Sequence, residues 1–234
     1  MPLIEYDAVR HEYPTAGRVR RVLDDVTVSL TEQRIGVIGA NGSGKSTFVR
    51  MLNGLVVPSG GAVRIDGLDT AKEARRIRRR VGFCFTDPDA QIVMPTVAED
   101  IAFGLRRRGL SRQEIDAQVG AALSSYGLAA HRDHPAHLLS GGQKQLLALA
   151  AVLVTEPDLL VLDEPTTLLD LANARRIQQV VRALPQQVVL VTHHLDLLED
   201  FDRVLVFHDR RLAFDGTPAE AVAHYRKLVL EGSA

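Results

Sequence analysis

The stretch from residue 39 to residue 46 limits the possible folds more than any other part of the sequence. It contains Gly-Ala-Asn-Gly-Ser-Gly-Lys-Ser, which matches the P-loop pattern of a glycine, four residues and then Gly-Lys-Ser. A short apolar run at 35–38 precedes it, and a helical pattern at 47–55 follows it. This strand–loop–helix context favours a phosphate-binding loop over a chance glycine-rich turn.

Each residue type in the loop has a physical role in such a site. Glycines let the backbone curl, so that successive N–H groups point at one cluster of phosphate oxygens. The positive end of the helix that starts near Ser46 faces the same place. Lys45 would neutralise the β- and γ-phosphates, and the Ser46 hydroxyl would bind Mg²⁺. The motif therefore predicts a nucleotide site formed by Gly39, Ala40, Asn41, Gly42, Ser43, Gly44, Lys45, Ser46 and Thr47.

The order of apolar patterns predicts an α/β fold with a mainly parallel sheet, because buried strands alternate with helices. Continuous apolar runs, typical of buried strands, occupy residues 35–38, 81–85, 159–162 and 188–191. Helical patterns occupy residues 97–104, 111–126, 143–154 and 218–230. Period-two patterns predict strands at 3–13 and 22–30, with a turn at 14–21 between them. Two more strands are predicted at 204–207 and 211–214.

Composition and charge exclude several classes of protein. The 234 residues are 46% hydrophobic and 24% charged, as in ordinary globular chains. A net charge of −1 argues against a protein that binds nucleic acid by bulk electrostatics. Cys84 is the only cysteine, which excludes an intrachain disulfide and favours a reducing compartment. The longest strongly apolar run, 146–154, is too short to span a membrane, so a membrane role would need a partner.

Two carboxylates follow the apolar run at 159–162. Asp163 and Glu164 would lie at the carboxyl edge of a parallel sheet, which is where α/β folds bind ligands. Asp163 could hold Mg²⁺, and Glu164 could polarise the attacking water. The alternative is a pair of solvent-facing acids.

A second glycine-containing motif, Leu-Ser-Gly-Gly-Gln at 139–143, opens the helical pattern at 143–154. Ser140 could cap that helix, and the two glycines leave backbone N–H groups open to a second anion. The alternative is a simple capped helix after a turn.

Taken together, these motifs resemble those of the ATP-binding-cassette ATPases over nearly the whole chain. In that family two cassettes pack head to tail, and each ATP lies between the P-loop of one cassette and the Leu-Ser-Gly-Gly-Gln signature of the other. The resemblance implies ATP and Mg²⁺ as cofactors, with Asp163 as the magnesium acid and Glu164 as the catalytic carboxylate. The residues that it implies at the γ-phosphate of the partner's ATP are Ser140, Gly141, Gly142 and Gln143.

The resemblance assigns four more residues. Asp170 matches the acid of the loop that crosses the dimer interface, and His193 matches the switch histidine at the γ-phosphate. Tyr13 matches the aromatic residue that stacks on adenine, with a packed strand tyrosine as the alternative. Thr86 stands where the family has a glutamine that contacts Mg²⁺, so we expect Thr86 beside the metal in the second shell.

The resemblance also implies a domain organisation. The whole chain, 1–234, would be one ABC ATPase domain with a P-loop ATPase core and an N-terminal antiparallel β part at 1–86 and 155–234. The inserted α-helical subdomain that carries the signature would span 87–154.

Residues 87–91, 95–104 and 52–60 are similar to the ATPases of energy-coupling-factor importers of vitamins and metal ions, above all those for biotin. The resemblance implies a transmembrane coupling subunit, a substrate-binding membrane subunit, a second ATPase chain in a homodimer, no nucleic acid, and a peripheral location on the cytoplasmic face of the cell membrane. The alternatives are a cobalt or nickel importer ATPase, a soluble ABC ATPase outside transport, and a nucleotide-binding module with little hydrolysis.

Five arginines occur within residues 75–80. They favour a solvated helix face, with a surface for lipid phosphates or for a partner as the alternative.

Overall fold

The computed structural model describes residues 1–15, 18–106 and 108–231, and its contacts group them into two units. The first unit contains residues 1–81, 158–163 and 185 onward, and the second contains residues 82–157 and 164–184. The predicted helical subdomain, 87–154, falls within the range of the second unit, and its boundaries stay a prediction. Among the described helices, none combines the length and the hydrophobicity that a membrane span requires.

The strands, in chain order, are β1 Ile4–Thr15, β2 Arg18–Leu30, β3 Arg34–Gly39, β4 Gly60–Ile65, β5 Leu68–Asp69, β6 Val81–Cys84, β7 Leu159–Asp163, β8 Gln187–Val191, β9 Arg203–His208 and β10 Arg211–Gly216. The helices are α1 Lys45–Arg50, α2 Ala74–Ile77, α3 Val97–Leu105, α4 Arg112–Ser125, α5 Gly141–Leu153, α6 Leu171–Ala183 and α7 Pro218–Glu231. Short 3₁₀ turns lie at Pro88–Ala90, Ala129–His131, Ala136–Leu138 and Leu195–Leu198.

An antiparallel sheet of the first unit has the strand order β2-β1-β4-β5. The alternating pattern of β1 and β2 buries one face, and the hairpin pairing continues as far as Thr15 opposite Arg18. The predicted turn at 14–21 was therefore too long, because cross-strand pairing extends the strands on both sides. Ala16 and Gly17, also in that predicted turn, lie outside the described residues.

The predicted mainly parallel sheet is confirmed in the first unit, where the strands follow the order β10-β9-β3-β8-β7. β3 pairs in parallel with β8 and with β9, and β7 pairs in parallel with β8. β7 and β8 are buried along their whole length. This burial on both faces accounts for their continuous apolar runs. The four parallel strands β3, β7, β8 and β9 all end at one edge, and the residues after that edge include the P-loop.

Helix α1 fills the space between the two sheets of the first unit, but it is shorter than predicted. It ends at Arg50, and turns occupy the rest of the predicted helix 47–55. The ring of Phe48 stacks on Tyr6 at 4.0 Å between centroids and tilts against Phe207 at 4.8 Å. The Tyr6 hydroxyl also donates to the Phe48 carbonyl at 2.8 Å. These contacts fix α1, and with it the P-loop, against β1 and β9.

The second unit is built around α5, a mostly buried helix that packs on α3, and α3 also packs on α4. Three of its helices begin at a capping box, in which a Ser or Thr bonds the backbone three residues later and a Glu or Gln bonds back. The N-cap residues are Thr96, Ser111 and Ser140. The sequence pattern S/T-x-x-E/Q thus accounts for where these helices start.

The arginine-rich segment 75–80 is only in part a solvated helix face, because α2 ends at Ile77. Arg76 pairs with Glu73, and Arg80 pairs with Asp66 and Asp158. Arg78 donates to the carbonyls of Asn53 and Gly54. Three of the five arginines therefore hold this unit together, which leaves Arg75 and Arg79 as exposed positive charges.

Candidate nucleotide-binding site

The P-loop runs from the end of β3 to the start of α1 and needs glycine at two positions for steric reasons. Gly39 has a φ of 148°, and a Cβ there would lie 2.2 Å from the Phe207 carbonyl oxygen. Gly44 has a φ of 105°, and a Cβ there would lie 2.6 Å from the Val22 carbonyl oxygen. The loop can therefore curl tightly against β2 and β9, which leaves its N–H groups to form an anion cradle.

Polar groups inside the curl fit an anionic ligand. Lys45 is 4% exposed, and its Nζ donates to the carbonyls of Gly39 at 2.8 Å and Ala40 at 3.0 Å. The hydroxyl of Ser43 is buried and has no hydrogen-bond partner among the described residues. A buried hydroxyl without a partner is costly unless a ligand satisfies it. Both the steric requirement for glycine and the buried polar groups of the loop therefore fit a phosphate site.

Ser46 and Asp163 meet at the start of α1. The Ser46 hydroxyl donates to Asp163 Oδ1 at 2.9 Å, and Arg50 Nη2 donates to Asp163 Oδ2 at 3.0 Å. Asp163 is fully buried, and its charge is compensated by the partly exposed Arg50. A hydroxyl and a carboxylate oxygen are the hard ligands that Mg²⁺ takes in nucleotide sites. The described residues contain no group of three or more His, Cys, Asp or Glu side chains for a metal.

A cavity of about 300 Å³ opens on the outer side of the P-loop. Arg20, Arg210 and His208 line it together with residues 40–43. Arg21, on the same side, is neutralised by Glu12 and Asp24, whereas Arg20 and Arg210 make no ion pair within the described part of the chain. Two uncompensated guanidinium groups therefore add positive potential at the mouth of the loop.

Tyr13 and His193 lie on other elements of the first unit. Tyr13 is in β1, 39% exposed, and its ring packs edge-on against His11 at 4.5 Å. The Tyr13 ring is therefore partly accessible to solvent. His193 follows β8 and is exposed, while the neighbouring Thr192 hydroxyl accepts the N–H of His194.

The signature segment of the second unit forms the N-terminus of α5. Ser140 Oγ accepts the Gln143 N–H at 3.3 Å, and Gln143 Oε1 accepts the Ser140 N–H at 2.9 Å. Ser140 and Gly141 are exposed, and Gly142 is buried. The start of the first turn of the segment is thus exposed, and the side chains of Ser140 and Gln143 restrain its backbone.

Asp170 caps α6, which lies beside the signature segment. Its carboxylate accepts the N–H of Asn173 at 2.8 Å and the Asn173 side-chain amide at 3.1 Å. A Cβ at Gly142 would lie 2.2 Å from the Asn173 side chain, so only glycine allows this close approach. Asp170 and the signature are therefore joined through Asn173.

Glu164 and Thr86 also belong to the second unit. Glu164 has a φ of 55°, which is rare for a residue with a side chain, and its carboxylate accepts the Thr167 hydroxyl at 3.1 Å. Thr86 is half-buried and follows Phe85. The Phe85 N–H donates to Gln91 at 3.2 Å, and the Phe85 carbonyl accepts from Gln145 at 3.4 Å. Two glutamine amides therefore hold the backbone directly before Thr86.

The buried Cys84 has an ordinary structural explanation. It is fully buried on β6, and burial raises the pKa of its thiol to about 12. The thiol stays protonated at neutral pH and acts as a small apolar side chain.

Comparison with known proteins agrees with this arrangement, since the family model for ABC transporters matches residues 23–167. The chain belongs to the ABC transporter family. A putative ABC transporter ATP-binding protein of Deinococcus radiodurans is 52% identical over 96% of this chain and 98% of its own length. The biotin transport ATP-binding protein BioM of Rhizobium etli is 49% identical over 89% of this chain and 93% of its own. The energy-coupling factor transporter ATP-binding protein EcfA1 of Symbiobacterium thermophilum is 44% identical over 96% and 81%.

Solved ABC cassettes have the same fold. The cbiO1 protein of Clostridium perfringens, part of the ABC transporter complex cbiONQ, aligns with a TM-score of 0.81 at 30% identity over 97% of this chain and 94% of its own. A cassette solved as a dimer in a post-hydrolysis state bound to ADP and Pi aligns with a TM-score of 0.82 at 26% identity over 92% of this chain and 98% of its own. The predicted fold and the predicted ATPase class are thereby confirmed, and this ABC cassette is an ATP-binding ATPase.

The ABC cassette contains site residues that the sequence analysis did not identify. Arg50 lies four positions after Ser46, so both face Asp163 from one side of α1. That spacing was a usable signal. Asn173 and Gln145 gave no such signal, because their partners Gly142 and Phe85 are distant in sequence and are brought near only by helix packing.

Proposed function

We propose that this ABC ATPase hydrolyses ATP to energise a membrane importer of a vitamin, and that the vitamin is biotin. The BioM relative, with nearly half of its residues identical along almost its whole length, supports the biotin assignment. The EcfA1 relative supports an importer of the energy-coupling-factor type. Nothing in the nucleotide site itself selects the cargo, which another subunit would bind.

The observation that carries the proposal is the Ser46–Asp163 hydrogen bond beside a glycine loop that encloses a buried lysine. Lys45 and the loop N–H groups would hold the phosphates, and Tyr13 would stack on the adenine. Ser46 and Asp163 would hold Mg²⁺, with Thr86 in its second shell. The proposed nucleotide contacts are Tyr13, Gly39, Ala40, Asn41, Gly42, Ser43, Gly44, Lys45, Ser46 and Thr47, joined from the partner chain by Ser140, Gly141, Gly142, Gln143 and Asp170.

Glu164 is the proposed general base, and His193 the proposed γ-phosphate contact. A left-handed φ at Glu164 is the kind of backbone strain that persists where the surroundings impose it, often at functional sites. The Thr167 hydroxyl donates to one of its carboxylate oxygens, which restrains the side chain. Bound Mg²⁺ would supply charge stabilisation to the phosphoryl group being transferred.

Two copies of the chain are proposed to form a head-to-tail homodimer. The exposure of Ser140 and Gly141 supports this, because it leaves the first turn of α5 accessible to a partner chain. A related cassette solved as a dimer supports it as well. The proposed domain is the whole chain, 1–234, with the helical subdomain 87–154 contributing the signature to the partner.

The homodimer is proposed to work at the cytoplasmic face of the cell membrane. It would dock a transmembrane coupling subunit, which in turn binds the substrate-binding membrane subunit. No role with nucleic acid is proposed, given a net charge of −1.

Uptake by cells that lack this chain tests the proposal. Such cells would be complemented with the natural chain, with Glu164→Gln, or with Arg75→Gln as a control at an exposed position outside the site. Radiolabelled biotin and Co²⁺ would be supplied separately. We expect biotin uptake with the natural chain and with Arg75→Gln, and a loss of about 10²–10⁴-fold in ATP turnover with Glu164→Gln.

Each other result has a defined meaning. If the natural chain restored Co²⁺ uptake but did not change biotin uptake, the cargo would be a metal ion and not the vitamin. Restoration of neither, by a chain that hydrolyses ATP when purified, would reject the importer role. Parental ATP turnover by purified Glu164→Gln would remove Glu164 as the base.

A further inference from the structure

We propose that His131 is a positioning residue for the signature segment. Through Gln143 it fixes the backbone of Ser140, and it does so only while its ring is neutral. The inference rests on the proposed role of the signature in the partner's nucleotide site.

A chain of hydrogen bonds leads from the 3₁₀ turn Ala129–His131 to α5. Gln143 Oε1 accepts the Ser140 N–H at 2.9 Å, so the oxygen end of this amide faces the signature. Its Nε2 end faces His131 Nε2 at 3.0 Å. His131 Nδ1 lies 2.8 Å from His134 Nδ1. Four side chains or backbone groups are thus joined in series.

The direction of each bond follows from the first. Since Gln143 uses its oxygen for Ser140, its NH₂ group must donate to His131, and His131 Nε2 must accept. The proton of a neutral His131 therefore sits on Nδ1 and is donated to His134 Nδ1. His134 in turn carries its own proton on Nε2. The arrangement selects one tautomer of each histidine.

Protonation of His131 breaks this order. It would place an N–H on Nε2 opposite the NH₂ group of Gln143, so that two donors face each other. Rotation of the Gln143 amide would restore a bond to His131, but it would turn NH₂ toward the Ser140 N–H. Either way one bond of the network is lost, and the Ser140 backbone loses its acceptor in the second case. The loss of one such hydrogen bond lowers the equilibrium constant for the ordered signature segment by about fivefold.

Two cationic side chains near His131 in sequence or across α5 pair with other residues. Arg132, its neighbour in sequence, pairs with Asp116 of α4, and Lys144 of α5 pairs with Asp89. His134 is the titratable group that faces His131 directly, with a distance of 5.0 Å between the ring centroids. Two histidines make only half of a zinc site, and no third ligand joins them among the described residues.

The variants that test the proposal differ only at the acceptor. His131→Gln keeps an acceptor oxygen at nearly the place of Nε2 and cannot be protonated. His131→Phe keeps a ring and removes the acceptor. His137→Gln is the matched control, because His137 is exposed, lies six residues further along and has no hydrogen-bond partner in the described part of the chain.

Steady-state ATP turnover of the purified full chain would be measured from about pH 5.5 to about pH 8.5, a range that includes the one in which imidazoles change charge. At the acid end we expect the natural chain to fall about fivefold below His131→Gln, and the two to match at the alkaline end. His131→Phe should be about fivefold slower at the alkaline end, with unchanged ATP affinity of the monomer. His137→Gln should follow the natural chain.

A second measurement does not depend on turnover. The ¹⁵N shifts of the histidine rings in the natural chain report which nitrogen carries the proton. We expect an Nδ1–H tautomer at His131 at the alkaline end of this pH range and a changed Gln143 side-chain amide signal at the acid end. An Nε2–H tautomer, or pH profiles of the natural chain and His131→Gln that coincide, would overturn the inference. Absence of any ATP turnover alongside the expected tautomer would count against the proposed function alone.

Discussion

The P-loop and the signature segment are both proposed phosphate-binding elements, but the chain holds them in different ways. In the P-loop the restraint is steric, because carbonyl oxygens of β2 and β9 leave no room for a Cβ at Gly44 and Gly39. In the signature segment the restraint is a capping box between Ser140 and Gln143, which are partly or fully exposed. The first is set by packing, and the second by side-chain hydrogen bonds that each contribute about 1 kcal/mol.

The two regions are therefore expected to respond differently to a partner chain and to pH. A sterically fixed loop gives a permanent site, so that one chain can bind its nucleotide alone. A segment held by a few exposed hydrogen bonds can respond to its surroundings, including a partner chain or the charge on a histidine.

The largest effects are expected from substitutions that disable the P-loop or the signature segment separately. Lys45→Ala removes the buried ammonium that is proposed to hold the phosphates, so ATP binding measured by calorimetry should be lost together with turnover. Ser140→Arg places a bulky cation at the exposed end of α5, so monomers should still bind ATP normally but fail to turn it over. Normal turnover by Ser140→Arg would contradict the head-to-tail arrangement, and unchanged affinity in Lys45→Ala would contradict the phosphate role of the loop.

Arg50→Gln should give the next largest effect and concerns the P-loop side alone. Asp163 is buried, and its ion pair with the half-exposed Arg50 compensates its charge. We expect a loss of about 1–2 kcal/mol in the free energy of unfolding, or about 3–6 °C in Tm for a chain of this size. The deficit should shrink when Mg²⁺ and ATP are added, since the metal replaces the lost cation. Arg75→Gln is the control, and a deficit that stays constant with Mg²⁺ and ATP would separate Arg50 from the metal site.

The smallest effect is expected at Asp170, beside the signature segment. Asp170→Ala removes the N-cap of α6 and should cost about 1 kcal/mol in the free energy of unfolding, or about 2–4 °C in Tm. Asp170→Asn keeps a capping oxygen and should recover the stability. If Asp170→Asn also recovers full ATP turnover, then Asp170 acts only as a cap and not as an acid at the dimer interface.

Comparison of the predicted and observed elements shows where sequence patterns are informative. Strands buried on both faces, such as β7 and β8, were found because burial demands a continuous apolar run. Helix α6, Leu171–Ala183, was missed because it is largely exposed and buries only two of its residues, Ile177 and Val181. The start of α6 was nevertheless visible in Asp170, a capping residue that had been assigned only an interface role.

The candidate site shows the same limit. Lys45, Ser46 and Asp163 were predicted because their motifs are local, and the structure brings all three to one edge of the parallel sheet. Arg50 could have been found from its spacing to Ser46. His131 could not, because its partner Gln143 is twelve residues away across a loop whose path no pattern predicts.

The sequence by itself determined the elements whose cause is local. These are the glycine loop between strand and helix, the apolar runs of the parallel sheet, and the capping boxes that start α3, α4 and α5. Only the tertiary structure decided which polar groups meet: Arg50 with Asp163, Asn173 with Gly142, and His131 with Gln143. The physical reason is that a steric or capping requirement acts within a few residues, whereas a hydrogen bond between distant segments exists only after packing has fixed both ends.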